Sequence, residues 1–488
     1  MSSSLNEIKE KLNGYNQQQL LATWELLDRE KQLGFVKHVN AIDFEEANFL
    51  FKKAKQSMES DIKKLDDFMT PVPATQYQSE EKVCAKTLDE YRSIGLEAIS
   101  NNEVAVLLLA GGQGTRLGSD NPKGMFSVGL PSGKTLFQIQ AERIRRVTAL
   151  AKEKYGKFGT IPWYIMTSGP TDRTTHKFLV AKNYFDLNEK DVILFQQGLL
   201  PCYDFEGKIL LNEKDHVAFA PDGNGGIYKA LAKHGILNDM EKRGVKYVHV
   251  HSVDNILVKV ADPVFIGYCV SKQAECGAKV VKKANPNEPV GVICQVDGKY
   301  QVVEYSEITE KTALLKNENG DLKFNAGNIC NHFFSTSFLR KVVNECLNDI
   351  KVHVAIKKIP YTNALGKKVT PVEANGIKIE KFIFDVFQFA EKFVIWEVPR
   401  NEEFSALKNS DEAGKDCPMT ARNDLLALHR AYVEKAGGRI EAGEVEISPL
   451  LSYAGENLEN IVKGVTYNNK GAIQLLPENK LNGVNGKH

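Results

Sequence analysis

The chain has 488 residues, of which 42% are hydrophobic. A single core usually stops growing near about 250 to 300 residues, so this length predicts two or three domains. Lysine and arginine total 63 against 62 aspartates and glutamates, which leaves no net field to attract nucleic acid or an anionic membrane. A small anionic substrate needs only a local cluster of cations, so that class of ligand stays open.

No stretch of the sequence approaches the roughly 20 apolar residues of a membrane span, and the first residues have no apolar core. The eight cysteines are scattered and form no C-x-x-C pair, which disfavours a structural zinc site or a disulfide framework. These features predict a soluble, cytoplasmic protein without nucleic-acid or membrane partners. Cys202 is a candidate reactive thiol.

The first hundred residues predict helices. Apolar residues recur at three- and four-residue steps through residues 16–54, and a second helical pattern covers residues 88–99. Prolines interrupt the chain between the two patterns. We therefore expect a helical N-terminal domain at 1–103, a catalytic domain at 104–398 and a small C-terminal domain at 399–488.

A buried strand followed by a glycine-rich loop begins at Val104. Residues 104–110 are all apolar, which suits a strand that is covered on both faces. The loop begins with GGQG, residues 111–114, and backbone N–H groups in such a loop can converge on an anion. Arg116 and Lys123 then add full positive charges. This stretch predicts a polyphosphate site.

Two familiar nucleotide motifs fit this part of the chain poorly. The G-x-G-x-x-G pattern of dinucleotide-binding folds requires a glycine where Leu117 stands. A P-loop requires four residues between its first glycine and GK[ST], whereas residues 129–135 supply three. Residues 129–135 therefore predict a turn before a helix.

The pattern that does fit is GGxGxRLGxxxPKG, residues 111–124. It resembles the sugar-phosphate nucleotidyltransferases, and specifically the eukaryotic UDP-N-acetylhexosamine pyrophosphorylases. The resemblance extends over roughly residues 88–459. It implies that this part of the chain binds UTP through Leu109, Ala110, Gly111 and Gly112.

Strands alternate with helices after the loop. Apolar patterns predict strands at 163–169 and 192–198 and helices at 136–154 and 171–183. The alternation predicts an α/β fold with a Rossmann-like, mostly parallel central sheet flanked by helices, in which ligands bind at the carboxyl ends of strands. The amide of Gln197 can donate to and accept from the imide edge of uracil, and the resemblance implies that contact.

The string PDGNGG, residues 221–226, predicts a close approach of backbone to ligand just before a helix. A simple helix-capping turn would explain Asp222 but would leave the glycines without a role. The family resemblance implies that Gly223 contacts the base and that Asn224 contacts the sugar.

A predicted strand runs into Asp254, where a carboxylate is well placed to hold Mg²⁺ or Mn²⁺ between nucleotide phosphates. His249 and His251 would share one face of this strand and could in principle bind zinc. No third ligand lies nearby in the sequence, so we interpret both as core residues. Asp262 followed by Pro263 predicts the start of a helix.

The pattern then becomes antiparallel. Residues 290–308 alternate around the Asp-Gly pair at 297–298, which is a hairpin signature. Glu304 late in this hairpin and Asn328 on the following strand offer groups that suit sugar hydroxyls and an amide. The resemblance implies that both residues, together with Gly291, bind the hexosamine.

The last third of the chain is rich in phenylalanine, which usually indicates packing. The resemblance implies that two of these residues, Phe382 and Phe384, form the wall of the acetamido pocket. It also implies that Lys408, in the pattern F-x-x-L-K-N, contacts the sugar phosphate. Residues 437–469 predict a small β-rich region, and the polar tail from residue 478 predicts disorder.

The resemblance implies a uridylyltransferase, a monomer or homodimer, that converts UTP and N-acetylglucosamine 1-phosphate into the UDP-sugar and pyrophosphate, with Arg116, Lys123 and Lys408 as catalytic residues. N-acetylgalactosamine 1-phosphate is a second candidate substrate, and glucose or galactose 1-phosphate is the nearest alternative. A UDP-sugar sensor would not need cations at the pyrophosphate side. A retaining glycosyltransferase commonly has a D-x-D pair, whereas Ile256 stands two residues after Asp254.

Overall fold

The computed structural model describes residues 2–59, 65–304 and 307–477. The chain divides into two compact units. The first unit takes Met1–Lys63, Gln197–Ala230 and Cys346–Asp385, and the second takes Lys64–Gln196, Leu231–Glu345 and Val386–His488. The division predicted at residues 103 and 398 is a different partition of the chain and stays a prediction. The polar tail from residue 478 lies outside the described residues.

The α-helices between residues 29 and 181 follow the predicted helical patterns, including the long helix after the glycine loop, whereas the helix at Pro418–Lys435 was not predicted. In chain order they are α1 (Ser2–Gly14), α2 (Arg29–Asn40), α3 (Phe44–Glu59), α4 (Ala85–Ser100), α5 (Leu136–Tyr155), α6 (Gly169–Ala181), α7 (Ile227–Lys233), α8 (Ile236–Lys242), α9 (Pro263–Ser271), α10 (Glu310–Ala313), α11 (Thr336–Lys341), α12 (Arg400–Glu403), α13 (Pro418–Lys435) and α14 (Glu459–Val462).

The strands are mostly short. They are β1 (Met69–Thr70), β2 (Tyr77–Ser79), β3 (Val104–Leu109), β4 (Trp163–Thr167), β5 (Val192–Gln196), β6 (Leu199–Pro201), β7 (Leu211–Glu213), β8 (His216–Val217), β9 (Phe219–Pro221), β10 (Tyr247–Ser252), β11 (Cys276–Lys282), β12 (Val292–Val296), β13 (Lys299–Val303), β14 (Ala326–Ser335), β15 (His353–Lys357), β16 (Tyr361–Thr362), β17 (Lys368–Val369), β18 (Gly376–Glu380), β19 (Phe393–Glu397), β20 (Arg439–Ile447) and β21 (Thr466–Leu475).

The second unit is built on one large sheet with the strand order β2-β19-β11-β14-β10-β3-β4-β5. Strand β3 runs parallel to β10 and β4, β4 parallel to β5, and β19 parallel to β11 and β2. Only β14 on this path is antiparallel to its neighbours, β10 and β11. The predicted mostly parallel α/β fold is confirmed.

Strand β3 pairs with β10 on one side and β4 on the other, and every one of its residues is buried. The core around it includes Phe137 on α5, Trp163 on β4 and Phe265 on α9, all fully buried. A strand covered on both faces needs apolar side chains in succession rather than in alternation. The apolar run in the sequence was therefore a correct signal of a central strand.

Several local predictions are confirmed. Strands β12 and β13 pair antiparallel around the Asp-Gly turn. Helix α9 begins after Asp262, whose carboxylate accepts from the Val264 N–H at 3.0 Å. Thr135 caps α5, so the P-loop-like residues form a turn before a helix. Near the C-terminus, β20 and β21 form a two-stranded parallel sheet.

The first unit packs α1, α2 and α3 against short antiparallel pairs of strands, β6 with β9 and β15 with β18. Its core includes Phe35, Val39, Tyr203 and Ile377. The predicted N-terminal helices thus bury an apolar face, as their spacing indicated. Among the helices of the described residues, none is both long enough and apolar enough to span a bilayer.

Candidate active site

The glycine loop leaves β3 at the edge of the sheet where Asp254 also lies. The C=O of Leu109 accepts from the Val253 N–H at 3.1 Å, and the Ala110 N–H donates to the Met166 C=O at 2.8 Å. Both Leu109 and Ala110 are buried. The carboxyl ends of three parallel strands, β3, β4 and β10, therefore meet here, which is where ligands bind in sheets of this type.

The loop folds back on itself into a narrow antiparallel turn. The Gly114 N–H donates to the Asn121 C=O at 2.9 Å, and the Lys123 N–H donates to the Gly112 C=O at 3.2 Å. Gly112 and Arg116 are exposed. The turn therefore presents Arg116 near its tip and brings Lys123 back to the level of the first glycines.

Lys123 and Asp254 face each other, with the Lys123 Nζ 3.8 Å from the Asp254 Oδ2. Each side chain retains 17% exposure. The separation exceeds an ordinary hydrogen bond, so neither charge is committed to a tight pair. Lys123 can therefore turn toward a phosphate, and Asp254 can turn toward a cation.

Lys408 follows a buried segment that lies against Asp254. The Leu407 N–H donates to the Asp254 C=O at 2.9 Å, and the exposed Lys408 comes next in the chain. Burial raises the pKa of the Cys330 thiol, the Asp254 carboxylate adds to the rise, and the Lys408 ammonium opposes it. Both charged groups therefore lie within electrostatic reach of the same thiol.

The three residues predicted to bind the hexosamine in the second unit lie together. A Cβ on Gly291 would be 2.9 Å from the Glu304 Oε1, and the Asn328 N–H donates to the Gly291 C=O at 2.9 Å. The Asn328 side chain accepts from the Cys330 N–H at 3.1 Å. Asn328 thus connects this group of residues to the backbone of Cys330, whose thiol lies within electrostatic reach of Asp254 and Lys408.

The remaining predicted site residues belong to the first unit, and four of them form one group. Gly223 has a φ of +83°, and a Cβ there would lie 2.3 Å from the Lys381 C=O, so only glycine fits. The Asn224 Oδ1 accepts from the Ile383 N–H at 2.9 Å. The rings of Phe382 and Phe384 are 5.2 Å apart.

Gln197 also belongs to the first unit and is partly exposed. The next residue, Gly198, accepts from the Asp222 N–H at 3.2 Å. Gln197 therefore adjoins the loop that carries Gly223.

The two histidines on β10 are core residues, as predicted. The His249 Nε2 lies 2.8 Å from the Asn331 Oδ1, and its Nδ1 accepts from the Ala261 N–H at 3.1 Å. Burial lowers the pKa of His251 to about 4. Among the described residues, the one group of three that could hold a metal is Glu213, Asp215 and His216, which excludes His249 and His251.

Cys202 is almost fully buried. Burial raises its pKa to about 11, so the thiol stays protonated at neutral pH. Reactivity requires the thiolate and access to solvent, so the structure does not favour Cys202 as a reactive thiol.

Sequence reasoning gave no role to Ser168, whose Oγ donates to the Gly111 C=O at 2.7 Å and so holds the glycine loop. The feature of the sequence that could have indicated this role is that Ser168 directly follows strand β4, at the edge where ligands bind. The disfavoured alternative, in which Asp222 caps a helix, does not hold either, because the cap position is Gly223 and has no side-chain bond. The Asp222 carboxyl is instead buried against Gly198 and Gly226.

Asp222 predicts a pH-dependent stability. Burial raises the pKa of this carboxyl from 3.8 to about 6, and Lys381 opposes the rise. Between these values the unfolded chain releases a proton that the folded chain retains, so the contribution of Asp222 to the free energy of unfolding falls as the pH rises. The loss is complete above the folded pKa and is on the order of 3 kcal/mol.

We therefore expect Asp222→Asn to melt above the wild type at about pH 8 and by a clearly smaller margin at about pH 4.5, where only about 1 kcal/mol of the loss has occurred. Glu391→Gln, on an 82% exposed side chain, serves as the control and should show no such trend. A difference in melting temperature that is the same at both pH values would contradict the prediction.

A buried central strand that runs into a glycine loop, with Lys123 facing Asp254 at the same edge of a mostly parallel sheet, defines a nucleotide-binding α/β protein. A family model described as UTP--glucose-1-phosphate uridylyltransferase matches residues 47–454, and the chain belongs to this family.

Individual relatives match over nearly the whole chain. A Xenopus tropicalis protein named UDP-N-acetylhexosamine pyrophosphorylase-like protein 1 is 50% identical over 92% of both chains. The UDP-N-acetylglucosamine pyrophosphorylase of Saccharomyces cerevisiae is 41% identical over 94% of this chain and 97% of its own. The fold is also similar to the crystal structure of the uridine diphosphate N-acetylglucosamine pyrophosphorylase from Trypanosoma brucei in complex with inhibitor. The TM-score is 0.82 at 29% identity, and the match covers 98% of this chain and 99% of that one.

Proposed function

We propose that the enzyme joins UTP and N-acetylglucosamine 1-phosphate to give UDP-N-acetylglucosamine and pyrophosphate. The names of relatives that are 41% and 50% identical over most of the chain support this activity. The observation that carries the proposal is the Lys123 Nζ at 3.8 Å from Asp254, beside the glycine loop. The segment before Lys408 is bonded to the same aspartate.

In the proposed reaction an oxygen of the sugar phosphate attacks the α-phosphorus of UTP. The new P–O bond forms in line with the bond to pyrophosphate, which breaks and leaves with its electron pair. No covalent enzyme intermediate is needed, so positioning and charge neutralisation carry the catalysis. Lys123 would neutralise the transferred phosphate, Arg116 the leaving pyrophosphate and Lys408 the sugar phosphate.

Asp254 suits a divalent cation, Mg²⁺ or Mn²⁺. Its carboxylate is partly exposed, and the Lys123 ammonium at 3.8 Å is too distant to occupy it fully. Mg²⁺ commonly takes one or two carboxylates with substrate phosphates and water, so a single aspartate suffices. When bound, the ion would neutralise phosphate charge.

The remaining roles follow the family resemblance and the groups described above. Leu109, Ala110, Gly111, Gly112, Gln197 and Gly223 are proposed to contact the nucleotide, and Asn224, Gly291, Glu304, Asn328, Phe382 and Phe384 the sugar. A monomer or homodimer in the cytoplasm is part of the proposal, and light scattering of the purified enzyme would measure its oligomeric state.

The choice of sugar is the sharpest test of the proposal, because the family description names glucose 1-phosphate and the relatives name the acetylated sugar. We expect pyrophosphate release with N-acetylglucosamine 1-phosphate to exceed that with glucose 1-phosphate by at least about 10-fold in kcat/KM. A site built around an acetamido group leaves polar atoms unpaired when that group is missing.

N-acetylgalactosamine 1-phosphate and galactose 1-phosphate complete the panel. A Lys123→Ala preparation, purified in the same way, controls for contaminating activity. Faster turnover of glucose 1-phosphate would replace the proposed substrate with the nearest alternative.

A further inference from the structure

A cluster of four charges lies in the second unit, with Lys279, Asp262 and Glu403 buried and Lys259 13% exposed. The Lys279 Nζ is 2.5 Å from the Asp262 Oδ2 and 3.0 Å from the Glu403 Oε1, and the Lys259 Nζ is also 3.0 Å from Glu403. Burial by itself lowers the pKa of Lys279, but the carboxylates of Asp262 and Glu403 outweigh it and raise the pKa above its ordinary value. The cluster therefore keeps its charges and balances them.

Burying the charges of Lys279, Asp262 and Glu403 is costly, and well-packed apolar side chains in their place are often as stable or more so. Stability alone therefore does not account for the cluster. Glu403 is the member that ends helix α12, and the buried residues 405–407 follow it. The cluster fixes the beginning of the segment that leads to Lys408.

Asn255 fixes the middle of that segment. Its Nδ2 donates to the Glu403 C=O at 2.7 Å, and its Oδ1 accepts from the Ser405 N–H at 3.0 Å. Asn255 is 3% exposed, and it follows Asp254 directly in the chain. The residue that follows the aspartate proposed for the metal is thus bonded to the segment that presents the lysine proposed for the sugar phosphate.

We infer that Asn255 and Glu403 are positioning residues that set Lys408 relative to Asp254. The inference rests on the proposed role of Lys408. It explains why an asparagine follows Asp254, because only a side chain that both donates and accepts can bridge a C=O and an N–H two residues apart.

A double-mutant cycle tests the inference. We expect Asn255→Ala to raise the KM for N-acetylglucosamine 1-phosphate by about 10-fold, since a displacement of about 1 Å is costly to an aligned group. The KM for UTP should change less than about two-fold. If Asn255 acts through Lys408, adding Asn255→Ala to Lys408→Ala should cause no further loss in kcat/KM, because coupled residues are not additive.

Additive losses, or an unchanged KM in Asn255→Ala, would overturn the inference and leave the proposed function standing. Wild-type kinetics in Lys408→Ala would instead remove the role of Lys408 itself. Glu142→Gln, which breaks a buried pair with Lys134 at 2.6 Å elsewhere in the unit, controls for destabilisation and should lower the melting temperature without changing that KM. If Asn255→Ala does not fold, Asn255→Ser, whose shorter side chain cannot bridge the Glu403 C=O and the Ser405 N–H together, takes its place with the same coupling expected.

Discussion

Replacing Lys123 with alanine is expected to lower kcat by on the order of 100-fold, or about 3 kcal/mol of transition-state stabilisation. The ammonium is partly buried and 3.8 Å from Asp254, so it acts where solvent screening is reduced. Negative charge shifts among the phosphate oxygens as the α-phosphorus is transferred, and a preorganised cation needs little rearrangement to meet it. Initial rates of pyrophosphate release at saturating UTP and sugar phosphate give the measurement.

Lys182→Ala is the matched control for this substitution, because it removes an exposed lysine at the end of helix α6 in the same unit. It should leave kcat unchanged. Turnover near the wild-type level in Lys123→Ala, with a correctly folded protein, would remove Lys123 from the proposed mechanism.

Arg116→Ala should lower kcat to a similar extent, on the order of 100-fold, because Arg116 is assigned to the departing pyrophosphate. Its side chain is exposed on the glycine loop and, within the described residues, forms no ion pair. The planar guanidinium is therefore available to bind two phosphate oxygens at once. The KM for pyrophosphate in the reverse reaction should rise in this variant, while the KM for the UDP-sugar changes little.

Arg145→Ala provides the comparison, since Arg145 on helix α5 of the same unit pairs with Asp186. This substitution should leave kcat and both KM values unchanged. A defect in Arg116→Ala that is confined to the KM for the sugar phosphate would reassign the residue to the other substrate.

Much of the fold could be predicted because its signals are local. The apolar run before the glycine loop indicated a strand covered on both faces, and β3 is buried throughout. The Asp-Gly pair at 297–298 indicated a hairpin, which forms between β12 and β13. In each case the residue types are dictated by the backbone conformation or burial of a few neighbouring positions.

Fewer contacts of the candidate site could be predicted from local sequence patterns. Asp222 illustrates the limit, since an aspartate before glycines is an ordinary capping signal, yet its carboxyl is buried against Gly198 and Gly226. Ser168 illustrates it again, because a serine after a strand gives no sign that its hydroxyl will hold Gly111.

The sequence by itself determined the central strand, the glycine loop with its two cations, the acid at the end of β10 and, through its motif, the family. Only the tertiary structure decided that Lys123 faces Asp254, that the segment before Lys408 is bonded to that aspartate, and that Gly291, Glu304 and Asn328 lie together. It also decided that the chain forms two units from interleaved stretches. The physical reason is that periodicity and turn chemistry act over a few residues, whereas these contacts join distant parts of the chain through the pairing of the strands and the packing of the loops between them.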